Sequence, residues 1–477
     1  MTTHQRFAAD TDAASTGNTA ADAVASRPES TTKLDRAAIL DRQRARESGA
    51  RTYARWLDIV PVHANGMVLE AADGRHYLDA LSGAGALALG HNHPAQRAAI
   101  QRTLELGRPM QLLDAASPER DAFTTALFAT LPDGLLAREP RVQFCGPSGA
   151  DAIEAAIKLA QTATGRRGVL ACTGGYHGMT FAALQASGSV APGLPISGGG
   201  LQLTRIPFPA PYRCPFGTGD DGTLAAAFLE RLLDDRSGGV EPPALLLVEP
   251  VQGEGGIHPA PHRWLRELRR ITEQRGILLV VDEVQCGAGR CGSLWAHEQA
   301  GIVPDAMVIA KAVGGGLPLA AVIYAGEYDR WAPGAHAGTF RGTTMALAAG
   351  AATLDVIRQQ RLAVRAAQGG ALLLDELRAA TAGTAGVGEI RGRGLMVGVE
   401  LVDGAARPDA LGSFPASPAL AAAVRAGCLE RGLIAELGGR DDTVLRLLPP
   451  LNATDDQLRA VARIVGEAVS AAGDRSG

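Results

Sequence analysis

The chain has 477 residues, 46% apolar, 20% charged and 4% aromatic, with a formal net charge of −4. This balance excludes wholesale disorder, and without a basic excess neither nucleic acid nor an anionic membrane is expected as the main partner. At roughly 150 residues per domain the length predicts two or three domains, and no apolar run reaches the ~18 residues of a membrane span.

In chain order, residues 1–33 are rich in Ala, Thr, Ser and Asp and read as a disordered extension without an apolar signal core. A charged helix is expected from Leu34 to Arg55. Between Met67 and Leu81, two short strands flank the turn signal Asp73-Gly74. His91 and His93 resemble a metal pair but have no carboxylate at ligand spacing, so they read as turn and packing residues, and no metal is expected. The strand RVQFC (141–145) then leads through GPSG into an amphipathic helix. Further β-rich runs are GVLAC (168–172), ALLLVEP (244–250), ILLVVDE (277–283) and DAMVIAK (305–311), with a helix over 262–276. Buried strands alternating with helices predict an α/β domain with a mostly parallel sheet. From about Met345, alanine-rich helices and a strand-like segment (389–401) predict a second, smaller domain. The six cysteines are dispersed, with no CxxC pair, and read as reduced thiols of a cytoplasmic protein.

Only three of the 46 basic residues are lysines: Lys33, Lys158 and Lys311. Lys33 lies in the extension, and Lys158 reads as a solvated helix residue. Lys311 follows the apolar strand AMVIA, at the strand end where open α/β sheets hold ligands. Desolvation there would lower its pKa and make its amine nucleophilic; the alternative is a snorkelling strand-end lysine. Asp282 ends another buried strand, where a carboxylate is costly unless paired. Together the two suit pyridoxal phosphate: the lysine forms a Schiff base with the aldehyde, and the aspartate keeps the pyridine nitrogen protonated. The loop Gly146-Pro147-Ser148-Gly149-Ala150, between strand and helix, offers backbone N–H groups and a helix N-terminus to a phosphate, or is a plain turn. Tyr176, after GVLAC, could stack on a planar ring or fill the core.

These segments together resemble the class III (ω-type) aminotransferases, of pyridoxal-phosphate fold type I, over about Tyr53–Leu451. The most specific pieces are VEPVQGEGG (248–256), VVDEVQCGAGRCG (280–292), AKAVGGGLPLAAV (310–322), AGTFRGTTMALAAG (337–350) and LRLLPPL (445–451). The resemblance implies a large cofactor-binding domain over 106–344 with a seven-stranded sheet. It also implies a smaller α+β domain from 345–477, to which 34–105 contributes. Lys311 would hold the cofactor and move the proton; Asp282 would pair with the pyridine nitrogen; Gln285 would bond the phenolic oxygen. Ser148, Gly149 and Ala150 would bind phosphate, and Tyr176 would stack on the ring beside His177. Thr339 would reach the phosphate of a neighbouring subunit, which implies a homodimer with composite sites and leaves a higher oligomer open. Arg446 would take a substrate carboxylate by its bidentate fork, and Glu254 would pair with Arg446 when no carboxylate is there.

Within the class, LSGAGALALGHNHP (81–94), QFCGPSGADAIEAAIKLA (143–160) and GGYHGMTFAAL (174–184) are most like the diaminobutyrate–2-oxoglutarate aminotransferases. The reaction implied exchanges a terminal amino group between L-2,4-diaminobutyrate and L-glutamate, with aspartate 4-semialdehyde and 2-oxoglutarate as the oxo partners. Two positions depart from the wider class: Met179 stands where many members have a carboxylate-binding arginine, and Arg341-Gly342-Thr343-Thr344 replaces Gly-Gly-Asn-Pro. Arg341 is either a substitute anion clamp or a surface ion pair. Another ω-amine, such as ornithine, 4-aminobutyrate, lysine or a pathway-specific amine, is the alternative substrate. Outside the class, residues 287–292 match G-x-G-x-x-G, but without a following strand that ends in an acid they support an NAD-dependent dehydrogenase poorly. A non-catalytic scaffold would make Lys311, Asp282 and the phosphate loop coincidental.

Overall fold

The structure is a computed structural model that describes residues 35–188, 200–210, 212–217 and 219–473. The extension at 1–33 and Lys33 lie outside the described residues. Contacts separate two units, Met1–Val60 and Pro61–Gly477.

In the first unit the expected charged helix covers only Arg36–Arg46. Asp35 caps its N-terminus by accepting from Ala38 N at 3.1 Å, and Arg44 and Arg46 sit in its last turn. The helix buries no residue, so nothing extends it through Ser48-Gly49; one short turn, Tyr53–Arg55, follows.

The second unit is built around a seven-stranded sheet, whose strands we number in chain order. They are β1 (Arg141–Phe144), β2 (Gly168–Cys172), β3 (Gln202–Ile206), β4 (Pro243–Val248), β5 (Leu278–Asp282), β6 (Ala306–Ile309) and β7 (Ala321–Tyr324). Their spatial order is β1-β7-β6-β5-β4-β2-β3. All pairings are parallel except those of β7, which runs antiparallel to both β6 and β1. β4, β5, β6 and β7 are buried along their whole length. Side chains alternate between faces, so Leu279 and Val281 join one apolar cluster while Leu278 and Val280 join the other. The first cluster is closed by helix α2 (His262–Arg275), which inserts Trp264, Leu265, Leu268 and Ile271. The second is closed by helix α1 (Gly149–Thr164), which inserts Ile153, Ile157 and Leu159. Each such side chain contributes about 1.5–3 kcal/mol on burial. Lys158 lies on the exposed side of α1.

Among the described residues three smaller sheets accompany this body, two of them four-stranded. The expected hairpin forms, with Val68–Ala71 antiparallel to His76–Asp79; Pro61–Asn65 and Leu433–Ile434 complete that sheet. The segment read as one strand at 389–401 is two, Val387–Gly392 and Val397–Leu401, paired antiparallel across a turn where Gly394 has φ 56°. No helix among the described residues is long and apolar enough to cross a membrane. All six cysteines are buried and free of disulfides.

The topology decides where polar groups gather. β1, β2, β4, β5 and β6 point the same way, so their C-terminal ends share one edge of the sheet. That edge is where an open α/β sheet leaves a crevice.

Candidate active site

A cavity of about 470 Å³ opens at that edge. Its wall brings together nine residues singled out from sequence. Ser148, Gly149 and Ala150 follow β1, Tyr176 and His177 follow β2, Glu254 follows β4, Asp282 ends β5 and Gln285 follows it, and Lys311 follows β6. Gly178, Met179, Thr180, Glu249 and Val284 complete it.

Helix α1 begins at the cavity because Ser148 is an effective N-cap: its Oγ accepts from Asp151 N at 3.3 Å. The first-turn N–H groups of Gly149 and Ala150 have no partner inside the helix and carry its positive end. The adjoining loop approaches closely. Gly178 has φ 125°, and a Cβ there would lie 2.3 Å from the Cβ of Ala150.

Asp282 is buried at the end of β5 and is compensated as burial requires. One oxygen accepts from His177 Nδ1 at 2.8 Å, the other from Val284 N at 3.0 Å. Burial opposes charge on His177, but the bond to Asp282 outweighs it and raises the imidazole pKa. His177 Nε2 is buried without a partner. Lys311 has a left-handed φ of 52°. Burial pushes its ammonium down, against the attraction of Glu254 and Asp282. The amine is therefore easier to deprotonate than an exposed lysine.

Arg446, from the strand Val444–Leu447, forms a fork with Glu254: Nη1 donates to Oε1 and Nη2 meets Oε2, both at 2.7 Å. Burial raises the Glu254 pKa, but Arg446 and then Lys311 bring it below the usual carboxylate value. Gln285 Nε2 donates to Ala84 O at 3.2 Å and Glu254 Oε1 at 3.3 Å, and its Oε1 is buried without a partner.

Thr339 is exposed and outside this wall. Arg341 is neither clamp nor surface residue. It is 8% exposed and bonded to Asp151 at 3.1 Å, because its loop folds back onto the start of α1. His91 does find a carboxylate, Asp79 at 2.8 Å, brought by the hairpin rather than by sequence spacing; His93 caps the helix Pro94–Glu105. The G-x-G-x-x-G stretch leads into no α-helix, only the short 3-10 turn Ala296–Ala300; Gly289 and Gly292, both with positive φ, pack close to Leu451 and Ala367.

Glu249 was not singled out from sequence. It is buried, accepts from Tyr176 N at 3.0 Å and Gly253 N at 3.1 Å, and is pushed up to about 7 by burial, with Asp282 adding to the rise and His177 opposing it. The signal was available: like Asp282, it is an acid that closes a fully apolar strand.

The cavity thus brings a desolvated lysine, a buried Asp–His pair and a helix N-terminus to one wall. The chain belongs to the class-III aminotransferases, whose family model matches residues 49–469. It is 48% identical over 446 residues to a diaminobutyrate–2-oxoglutarate aminotransferase of Rhizobium meliloti, covering 93% of this chain and 95% of that one. It is 42% identical over 421 residues to the enzyme of the same name from Haemophilus influenzae, covering 88% and 92%. Among solved structures it is similar to the ornithine aminotransferase of Toxoplasma gondii, at a TM-score of 0.77 and 26% identity over 93% of this chain and 96% of that one. An (S)-enantioselective ω-transaminase from Thermomicrobium roseum aligns at 0.77 and 28%, covering 92% and 98%.

Proposed function

We propose that the chain is a pyridoxal-phosphate-dependent aminotransferase that exchanges the terminal amino group of L-2,4-diaminobutyrate with 2-oxoglutarate, giving aspartate 4-semialdehyde and L-glutamate. The observation that carries the reading is the shared cavity of Lys311 and the Asp282–His177 pair. Two relatives with that activity in their names, at 48% and 42% identity, support the substrate.

The residues present fit the cofactor. The free N–H groups of Gly149 and Ala150 suit its phosphate, and the unpartnered Oε1 of Gln285 would accept from the phenolic O–H. The chemistry that pyridoxal phosphate supplies when bound is an aldehyde that condenses with amines and a ring that accepts carbanion electrons. Asp282, oriented by His177, holds a proton on the pyridine nitrogen. Tyr176, on the cavity wall, would stack on the ring. Lys311, held as the free amine by desolvation, would carry the proton between the substrate carbon and the cofactor side. Arg446 releases Glu254 and takes the α-carboxylate of glutamate. With diaminobutyrate, whose terminal amine reacts, Arg446 stays on Glu254. One pocket thus serves two substrates of opposite orientation.

We also propose a homodimer in which Thr339 completes the partner's phosphate site. Its exposure and its absence from the wall of its own chain's cavity support this, as does the exposed adjoining Phe340. A half-reaction screen tests the function. The purified protein is mixed with each candidate amine, and the visible absorbance of the cofactor is followed. L-2,4-diaminobutyrate and L-glutamate should discharge it fastest; faster discharge by ornithine or 4-aminobutyrate would reassign the substrate.

A further inference from the structure

Asp151 lies outside the cavity wall, yet one of its oxygens joins three segments. Oδ2 accepts from Gly146 N at 2.5 Å, from His336 Nε2 at 3.0 Å and from Arg341 Nη1 at 3.1 Å. Gly146 opens the phosphate loop. His336 and Arg341 bracket the exposed turn that carries Thr339. Arg341 also donates to Ala337 O at 2.6 Å, and its own carbonyl accepts from Arg120 at 2.6 Å. Arg120 in turn lies over the ring of Phe144, the last residue of β1, at 4.4 Å. Space is tight at both ends. A Cβ at Gly146 would meet Asp151 Oδ2 at 2.9 Å, and one at Gly338 would meet the Arg341 guanidinium at 2.6 Å. Cys145 Sγ lies within 4.8 Å of the His336 and Asp151 ligand atoms, a spacing a metal could use. The guanidinium and the backbone N–H already occupy the carboxylate oxygen, so proton donors rather than a cation hold this cluster together.

We propose that Asp151 is a positioning residue, which fixes the phosphate loop and the Thr339 turn to each other and so links each site's cradle to the threonine offered to the partner's site. This rests on the functional reading above, in which the loop holds the cofactor phosphate. Without the Asp151 anchor, Gly146 is free to shift and the N–H groups of Gly149 and Ala150 lose their aim. The Arg341 guanidinium, left buried without its anion, loosens the turn as well.

The test compares wild type, Asp151→Asn, Arg341→Met and the double variant. Pyridoxal phosphate affinity is measured by equilibrium dialysis, and borohydride reduction followed by peptide mapping reports occupancy of Lys311. Each single change should weaken affinity about tenfold, the scale of one lost charge-assisted bond. The double variant should also lose about tenfold rather than a hundredfold, because the two groups act as one unit. Unchanged affinity in the single variants, or additive losses in the double, would overturn the proposal while Lys311 is still labelled in wild type. Absence of that label in wild type would instead overturn the functional reading. Should Asp151→Asn fail to fold, Arg341→Lys decides, since it keeps the charge and one donor. Affinity about threefold weaker than wild type, and so partly rescued relative to Arg341→Met, is expected; a loss as large as that of Arg341→Met would refute the proposal.

Discussion

Replacing Arg446 with alanine separates the two halves of the proposed reaction. The Arg446 side chain is 1% exposed and meets Glu254 through two contacts of 2.7 Å, so a substrate carboxylate that displaces Glu254 inherits a dry, bidentate fork. Charge-assisted bonds of this kind contribute about 1.5–3 kcal/mol each, part of which is offset by desolvation of the carboxylate. A net loss of about 3–4 kcal/mol lowers kcat/KM for L-glutamate by two to three orders of magnitude. The diaminobutyrate half-reaction needs Arg446 only as the resting partner of Glu254. It should fall about tenfold, because Glu254 then keeps only the Gln285 bond at 3.3 Å and the attraction of Lys311. Cofactor affinity should change least, since Arg446 is not part of the cavity wall. Single-turnover absorbance with each substrate, beside a dialysis measurement of cofactor retention, reads all three quantities. Equal losses for both substrates, or release of the cofactor as the main effect, would refute the switch.

Lys311→Ala should give colourless protein with no borohydride-reducible label, and a label found on Lys158 in wild type would displace the assignment. Glu249 keeps its proton up to about pH 7 in the fold, against 4.5 for the free side chain. The unfolded chain therefore holds fewer protons between those values, and native stability falls as pH rises through them. Glu249→Gln should remove up to about 3 kcal/mol of that fall, so the variant gains melting temperature over wild type at pH 8 relative to pH 5; an unchanged difference would refute the assignment. Gly178→Ala places a Cβ 2.3 Å from Ala150 at a φ of 125°. It should cost about 1–3 kcal/mol and weaken cofactor binding, with calorimetry and dialysis as the checks; a neutral result would mean the two loops yield easily.

The sequence is most readable where chemistry coincides with local pattern. Asp282 and Lys311 stand at the ends of wholly apolar runs, and Ser148 heads an amphipathic helix, so periodicity and burial cost already single them out. Their meeting in one cavity follows once parallel strands align their ends. What stays hidden depends on distant segments. Asp151 lies 190 residues before Arg341, and no spacing rule connects them. The same holds for His91 and Asp79, whose partnership requires the hairpin. The reversed direction of β7 is equally silent, since a short buried strand carries no sign of its polarity. Glu249 is different: the strand-end argument applied to Asp282 covers it equally.

That reversed strand has a consequence for biogenesis. β1 sits at the sheet margin, and its ladder partner is β7. While the polypeptide is being translated, β1 therefore has no ladder partner until β7, which ends at Tyr324, has left the ribosome. A nascent chain arrested short of that point should be unable to capture vitamin B6, even though its helix α1 is already complete.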